Sequence, residues 1–305
     1  MAVVDPERFK VHDACSYDPV AHDFDRFTSR FTPPIARRVN TLAGLRPGNT
    51  VLDVGTGTGI VAVDAAERVS PGGRVIGIDL SQGMLAIARK HEERHPGTLE
   101  FREMDAEQLL FEDASFDSVV SLFALLHFPD PLRALVEIHR VLRRGGSLTL
   151  AVGSRPPLSF SGIAHRIGRI PFYLEHLRRR VLIAPAFIDE LVARHIPENT
   201  APEETELASH SRNRSTAVPQ LLQQAGFTKI AVTWQGFEAE LDSAGEFWDV
   251  QCTYSSIARK RLASATSGQR RVIEAEFNSH CAQTLARGGR LVYTYAALYV
   301  SARKV

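Results

Sequence analysis

The chain has 305 residues, of which 44% are hydrophobic, and its formal net charge at pH 7 is +1. This size suits one large domain or a core domain with a cap, and the near-neutral charge argues against a polyanionic partner such as nucleic acid. No run approaches about 18 apolar residues and residues 1–6 lack a leader pattern, so we expect no membrane span. Three scattered cysteines without metal-ligand spacing predict free thiols in a reducing cytoplasm.

The N-terminal segment carries three aromatic residues, Tyr17, Phe24 and Phe27, which are spaced to lie near one face of a helix or turn. Two interpretations are open. The aromatic side chains pack this segment onto the core, or the segment acts as a lid over a ligand. A helix is predicted to follow over residues 35–45, where apolar side chains recur on one side.

A glycine-rich turn lies between a predicted buried strand, residues 51–54, and a predicted helix, residues 60–67. Its glycines let the backbone approach a ligand more closely than a Cβ would allow, and the helix behind it offers unpaired N–H groups. The dinucleotide pattern G-x-G-x-x-G, counted from Gly55, needs a glycine at position 60, where Ile60 stands. The spacing that begins at Asp53 is instead D-x-G-x-G-x-G.

A second apolar run, residues 74–78, predicts another buried strand, which ends in Asp79 about 20 residues beyond the glycines. A nucleotide-binding fold places an acid there for the ribose, and the two oxygens of one carboxylate can hold both hydroxyls. The alternative is that Asp79 only caps the next helix, a role that Ser81 could fill equally well.

Asp53–Gly59 resembles motif I of the class I S-adenosylmethionine-dependent methyltransferases. The aromatic N-terminal segment is similar to one that precedes the core in their small-molecule, quinone-biosynthesis-like branch, which favours the lid. The resemblance implies an α/β fold with a Rossmann-like, doubly wound, seven-stranded and mainly parallel sheet, whose last strand is antiparallel, plus helical cap insertions. It also implies S-adenosyl-L-methionine as the cofactor and S-adenosyl-L-homocysteine as its product.

A third strand is predicted over residues 98–105. In the family, an acid at this strand end receives the adenine amino group, and the next backbone N–H meets a ring nitrogen. Asp105 and Ala106 occupy these positions, although an exposed loop acid is the alternative. In all, the resemblance assigns cofactor binding to Asp53, Gly55, Thr56, Gly57, Gly59, Asp79, Leu80, Met84, Asp105, Ala106, Glu107 and Leu122.

The helix predicted over residues 81–95 contains a formal match to the zinc signature H-E-x-x-H, from His91 to His95. The match falls at the charged end of a surface helix, Pro96 stops the helix at once, and no third ligand is apparent. We therefore predict no metal site.

A fourth strand, within residues 111–123, ends where an open α/β sheet offers its ligand crevice. Related methyltransferases often read Leu-His-His soon after it, and this chain keeps the second histidine as His127 but has Leu126 in place of the first. We predict that His127 is a general base, because imidazole titrates near neutral pH. The alternative is a histidine that only packs or bonds within the loop. His165 and His176 are weaker candidates for the base.

Strands and helices alternate from about residue 35 to residue 153, after which the pattern breaks. We assign residues 1–153 to an N-terminal lid and the core domain, and residues 154–215 to a helical cap insertion. Residues 216–305 complete the core with strands six and seven, interrupted by a helical insertion at about 243–289.

Aromatic side chains in the two insertions can line a closed pocket, so we expect methylation at oxygen or carbon of a small, largely apolar acceptor. A natural product, a quinone or a lipid-like molecule would fit. The residues predicted to contact it are Tyr17, Phe24, Phe123, His127, Phe172 and Trp248. Three rival functions stay open: S-adenosylmethionine-dependent chemistry other than methylation, such as cyclisation; methylation of a macromolecule; and NAD-dependent oxidoreduction. A homodimer is also compatible with the sequence.

Overall fold

The computed structural model describes residues 6–154, 163, 167–168, 170, 174, 178, 181–184, 186–196 and 218–305. The chain divides into two compact units. Unit 1 comprises residues 1–154, 202–233 and 297–305, and unit 2 comprises residues 155–201 and 234–296. Phe172, His165 and His176 lie outside the described residues.

The helices and strands are numbered here in chain order. The first half contains α1 (Pro6–Cys15), α2 (Ala21–Phe31), α3 (Pro33–Ala43), β1 (Thr50–Val54), α4 (Ile60–Val69), β2 (Arg74–Asp79), α5 (Gln82–Ala88), β3 (Leu99–Glu103), β4 (Phe116–Leu122), α6 (Pro131–Val141) and β5 (Leu142–Gly153). The second half contains β6 (Val181–Ala184), α7 (Ala186–His195), α8 (Val218–Gln224), β7 (Thr228–Leu241), α9 (Ala244–Tyr254), α10 (Ser256–Ser264), α11 (Ser267–Ala286) and β8 (Arg290–Arg303).

The sheet of unit 1 confirms the predicted topology. Its strands lie in the order β3-β2-β1-β4-β5-β8. Neighbouring strands from β3 to β5 are parallel, and β8 runs antiparallel to β5, from the pair Ser147 and Arg303 to the pair Gly153 and Ala297. The strand order reverses between β1 and β4, so a ligand crevice is expected at the carboxyl ends of these two strands.

The central strands read as continuous apolar runs because helices cover parallel sheets on both faces. Leu52 in β1, Ile78 in β2 and Val119 in β4 are fully buried. Helices α3 and α4 add Ile35 and Ala62 to the same core, also without exposed surface. This packing fixes the strand ends, and with them the loops that carry the site.

Two elements differ from the prediction. The single helix expected over residues 81–95 is α5 followed by a 3-10 stretch, Arg89–Arg94. In addition, β6 lies in a stretch where only helices were expected, and it raises the number of strands among the described residues from seven to eight. Its four apolar residues are too few for a helical or a strand period to be recognised.

Unit 2 contains β6, α7, α9, α10, α11, the end of β7 and the start of β8. Strand β6 pairs in parallel with the first residues of β8. Three phenylalanine rings, Phe187, Phe247 and Phe277, form its core with centroids 5.3 to 6.2 Å apart. Trp248 adds its ring edge-on to Phe277 at 4.9 Å. None of the helices in the described part of the chain is long and apolar enough to cross a bilayer.

The three cysteines are unpaired and differ in environment. Cys15, the last residue of α1, is exposed, Cys252 is half-buried and Cys281 is buried. Burial raises the pKa of the Cys252 and Cys281 thiols to about 12. At neutral pH these two side chains are therefore protonated.

Candidate cofactor and active site

The turn after β1 has a backbone that side chains would obstruct. Gly55, Gly57 and Gly59 have φ angles of +68°, +55° and +90°, in the left-handed region that glycine tolerates best. A Cβ on Gly55 would lie 2.2 Å from the Cβ of Ala124. Among the described residues, a Cβ on Gly57 would meet only the Phe24 ring, at 4.0 Å. The turn therefore holds the Gly57 backbone against an opening that a side chain would fill.

The Asp79 carboxylate, at the end of β2, supports this turn. It accepts hydrogen bonds from the backbone N–H of Gly57 at 2.8 Å and of Ser81 at 3.0 Å. The cap of α5 is provided by the Ser81 side chain, which accepts from the N–H of Met84 at 3.2 Å. Because each carboxylate oxygen has two lone pairs, Asp79 keeps acceptor capacity for a ligand.

Asp53 lies beneath the turn and is 1% exposed. The Thr56 hydroxyl donates to it at 2.7 Å, while the Thr56 N–H donates to the carbonyl oxygen of Ile78 at 2.9 Å. Burial raises the pKa of Asp53 from 3.8 to about 7, with a contribution from the nearby Asp79 charge and against the Thr56 hydrogen bond. Its observed contact is therefore to the turn itself, and its contact with the cofactor stays a prediction.

Asp105, the third acidic residue of the predicted cofactor site, forms an ion-pair cluster with α1. The Lys10 ammonium lies 2.8 Å from Asp105 and 2.8 Å from Glu107, and its side chain is 6% exposed. Asp105 also accepts from the N–H of Glu107 at 2.8 Å, and Glu107 accepts from the N–H of Asp130 at 2.8 Å. Burial lowers the pKa of Lys10, but hydrogen bonds to Asp105, Glu107 and Glu7 outweigh it, so the pKa is raised overall. The predicted adenine acceptor is thus joined to the N-terminal helix.

The N-terminal segment, defined as residues 6–31, also contacts the junction of β2 and α5. Asp18 accepts from the Ser81 hydroxyl at 2.7 Å and from the Gly83 N–H at 2.9 Å. Tyr17 and Phe24 pack against a buried apolar cluster. That cluster consists of Ala21, Met84 and Ile87. The segment therefore packs on the core beside this junction, and its role as a lid over a ligand stays a prediction.

Strand β4 ends in an unusual backbone and leads to the candidate base. Leu122 and Phe123 are half-buried, and Phe123 has a φ of +60°, a conformation that costs free energy in a residue other than glycine and is common at functional sites. His127 closes the short 3-10 turn that follows. Its Nδ1 lies 3.1 Å from Asp13 Oδ2, and the Tyr17 ring meets it edge-on at 6.0 Å.

The remaining residues of the predicted site lie in unit 1, in unit 2 or outside the described residues. Leu80 is half-buried directly after β2, and Met84 and Ala106 are buried beside the predicted ribose and adenine positions. Trp248 belongs to unit 2, where it contacts Phe277. Phe172 lies outside the described residues. The roles of all these residues stay predictions.

Three charged residues at the site were missed by the sequence analysis: Lys10, Asp13 and Asp18. Their partners are Asp105, His127 and the start of α5, all far away in sequence. Lys10 and Asp13 in α1, and Asp18 in the 3-10 turn after it, carry no spacing that could reveal such partners. Only the fold brings them together.

Comparison with known proteins connects this geometry to a family. A family model described as "Methyltransferase domain" matches residues 52–150. Nocamycin O-methyltransferase from Saccharothrix syringae is 30% identical over 292 residues, which is 94% of this chain and 96% of that protein. Demethylmenaquinone methyltransferase from Thermus thermophilus is 39% identical over 131 residues, 43% of this chain and 59% of that protein. The crystal structure of the cyclase SpnF covers 90% of this chain and 82% of that chain with a TM-score of 0.52 at 20% identity, which shows a shared fold alone.

The chain belongs to the class I S-adenosylmethionine-dependent methyltransferases of the small-molecule type. It is a transferase, and its cofactor is S-adenosylmethionine. The site fits this molecule, since the opening above Gly57 leaves room for close backbone approach and Asp79 and Asp105 offer carboxylate acceptors. The motif predicts which of these residues touch the cofactor.

Proposed function

We propose that this enzyme methylates an oxygen atom of a small, largely apolar natural product, with a carbon atom as the alternative target. The observation that supports oxygen is the extent of similarity to nocamycin O-methyltransferase, which covers 94% of this chain. The quinone methyltransferase matches only 43% of the chain. The region outside the core is therefore shared with an O-methyltransferase, and such regions adapt a common core to an acceptor.

The bound cofactor would supply a methyl group on a positively charged sulfur. The protein needs to hold the acceptor in line with that methyl, exclude water and remove a proton. In this proposal the glycine turn and Asp79 hold the donor side. Tyr17 and Phe24, which pack over the start of α5, shield it from solvent.

The proton is proposed to pass from the acceptor hydroxyl to Nε2 of His127 while the acceptor oxygen gains the methyl. The His127 side chain is 45% exposed, so it is accessible to an acceptor. Its Nδ1 is engaged by Asp13, which leaves Nε2 as the nitrogen available to take the proton. The contrasting role is a histidine that only anchors α1 through Asp13.

The acceptor contacts proposed for Tyr17, Phe24 and Phe123 agree with their positions around the end of β4 and the start of α5. Phe172 and Trp248 are retained as candidates from the sequence. The reaction is proposed to take place in the cytoplasm, which the unpaired state of all three cysteines favours.

The test is a methyl-transfer assay with S-adenosylmethionine labelled with carbon-13 in its methyl group. Demethylmenaquinone and demethylated nocamycin serve as the first acceptors, and mass spectrometry follows S-adenosylhomocysteine and the methylated product. A carbon-13 shift typical of a methoxy group is expected, and a carbon-bound methyl would select the alternative. An acceptor converted without release of S-adenosylhomocysteine would replace methyl transfer by another reaction, such as cyclisation.

Cofactor binding is measured first and separately by isothermal titration with S-adenosylmethionine and with NAD. We expect heat from the first alone. The His127→Ala variant is then expected to bind the cofactor as the wild type does and to lose most of its turnover with a hydroxyl acceptor. Unchanged turnover in this variant would remove His127 from the chemistry.

A further inference from the structure

The N-terminal helix brings a carboxylate to the candidate base. Asp13 Oδ2 lies 3.1 Å from His127 Nδ1, although the two residues are 114 positions apart in the chain. The side chain of Asp13 is only 12% exposed, whereas that of His127 is 45% exposed. One end of the pair is therefore shielded from water while the other can meet a substrate.

This contact determines where the imidazole carries its proton. An ionised carboxylate can only accept a hydrogen bond, so Nδ1 must donate and Nε2 of the neutral ring is left bare. A base that is oriented in this way by a third group is the recurrent arrangement of nucleophilic and acid-base sites. The carboxylate also stabilises the imidazolium that forms once Nε2 has taken a proton.

We propose that Asp13 is a positioning residue for His127, which fixes its tautomer and ring orientation for proton removal from the acceptor. The proposal rests on the proposed function, in which His127 is the base. Asp13 does not contact the acceptor itself. It acts through the imidazole ring.

The position of Asp13 depends on how α1 is held. One helical turn earlier, Lys10 binds Asp105 and Glu107, and after the helix Asp18 binds Ser81 and Gly83. Both anchors lie at positions that the motif assigns to the cofactor or directly beside them. The pair of Asp13 and His127 therefore forms only when the N-terminal segment is docked on the part of the site that holds the methyl donor.

Three groups with titratable side chains face His127 from the elements around it. Asp13 approaches from α1, the Tyr17 ring from the turn after α1, and Asp79 from the end of β2 through its charge. Only Asp13 is within hydrogen-bond distance of the ring among the contacts of the described residues. A change at Asp13 is therefore expected to dominate the tautomer of His127.

The first test needs no acceptor. The full chain is labelled with nitrogen-15 in its 11 histidines, and long-range proton–nitrogen spectra are recorded at a pH where the rings are neutral. The signal lost in His127→Ala identifies His127. We expect protonated Nδ1 in the wild type and a shift towards protonated Nε2 in Asp13→Asn, because the amide can donate to Nδ1. The same tautomer in both proteins would overturn the proposal.

Asp23→Asn is the matched control, since it makes the same chemical change in the same segment at an exposed carboxylate that pairs with Arg26 and not with His127. It is expected to leave the His127 tautomer as in the wild type. Asp13→Glu, which keeps the carboxylate, is expected to restore protonated Nδ1 at least in part. A tautomer change of equal size in Asp23→Asn would mean that loss of negative charge from the segment, and not the contact of Asp13, controls the ring.

The second test uses turnover of an acceptor that the wild type methylates. Asp13→Asn is expected to lower kcat by about tenfold to a hundredfold, less than the about 10⁴-fold loss known for a buried triad aspartate, because His127 is half-exposed. In the His127→Ala background the same substitution should have no further effect. An equal loss in both backgrounds would show that Asp13 acts by another route.

The two proposals fail in different ways. If the wild type methylates no acceptor, the proposed function fails. The tautomer measurement still tests the role of Asp13, because it needs no acceptor. If the wild type methylates an acceptor and Asp13→Asn changes neither tautomer nor kcat, only the role of Asp13 is lost.

Discussion

The glycine turn and the N-terminal segment converge on one site but are built by different means. The turn is held by backbone: its glycines have positive φ angles, and Asp53 and Asp79 bond to Thr56 and to main-chain N–H groups. The segment is held by side-chain pairs, of which Lys10 with Asp105 and Glu107 is the most buried. The donor half therefore depends on backbone geometry, whereas the half that carries Asp13 also depends on side-chain ion pairs whose charges can be removed one at a time.

The largest effect is expected from Gly55→Ala. The new Cβ would lie 2.2 Å from the Cβ of Ala124 at a φ of +68°, so the turn must move and the affinity for S-adenosylhomocysteine should fall at least about a hundredfold. Gly44→Ala is the matched control, with a φ of +69° and no atom of the described residues within 4 Å of the new Cβ. Isothermal titration measures both variants, and equal affinities would show that the turn is not rigid.

Asp79→Ala should have the next largest effect. The variant removes the acceptor for the Gly57 and Ser81 N–H groups as well as the proposed ribose contact. We expect cofactor affinity to fall about tenfold to a hundredfold. Asp117→Ala is the control for the loss of one charge together with a main-chain hydrogen bond, because Asp117 lies at the amino end of β4 and accepts from the Thr50 N–H at 2.8 Å. Unchanged affinity in Asp79→Ala would remove this residue from the cofactor site.

Asp53 gives the turn a measurable pH dependence. Its pKa in the folded chain is raised from 3.8 to about 7, so between these values the native state holds a proton that the unfolded chain has lost. The contribution to stability is complete below pH 4 and is lost as the pH rises through 7. The free energy of unfolding of Asp53→Asn minus that of the wild type should therefore grow by about 2 kcal/mol or more from pH 4 to pH 8. Urea unfolding checks this, and a constant difference would contradict the buried-acid assignment.

The smallest effect, and the most local, is expected from Lys10→Met. It leaves three carboxylates without their cation, Glu7, Asp105 and the buried Glu107, so α1 should detach more often. Amide hydrogen exchange in residues 6–15 should accelerate about tenfold, while exchange in residues 50–59 should not change. Arg8→Met, on the exposed side of the same helix, serves as the control. Equal acceleration in both regions would mean that the two halves of the site are one cooperative unit.

The same contrast explains what the sequence could predict. Asp53, Asp79 and the glycines could be singled out because their spacing is local and their chemistry needs those residue types, and the mainly parallel sheet followed from the alternation of elements. Lys10 and Asp13 were not found, since a lysine or an aspartate in a short helix is indistinguishable from a solvated one. Strand β6 was missed because four residues carry no period. Contacts that form only in the folded chain leave no local pattern in the sequence.

Exposure of Cys15 makes the N-terminal segment open to direct observation. Thiolates are the reactive form of cysteine, and the raised pKa values of Cys252 and Cys281, about 12, keep those two protonated at neutral pH. A maleimide reagent should therefore attach to Cys15 in preference. Cys15 thus provides one attachment point for a spin label or fluorophore, two residues beyond Asp13. Such a probe lets docking of α1 be followed in real time as ligands are added.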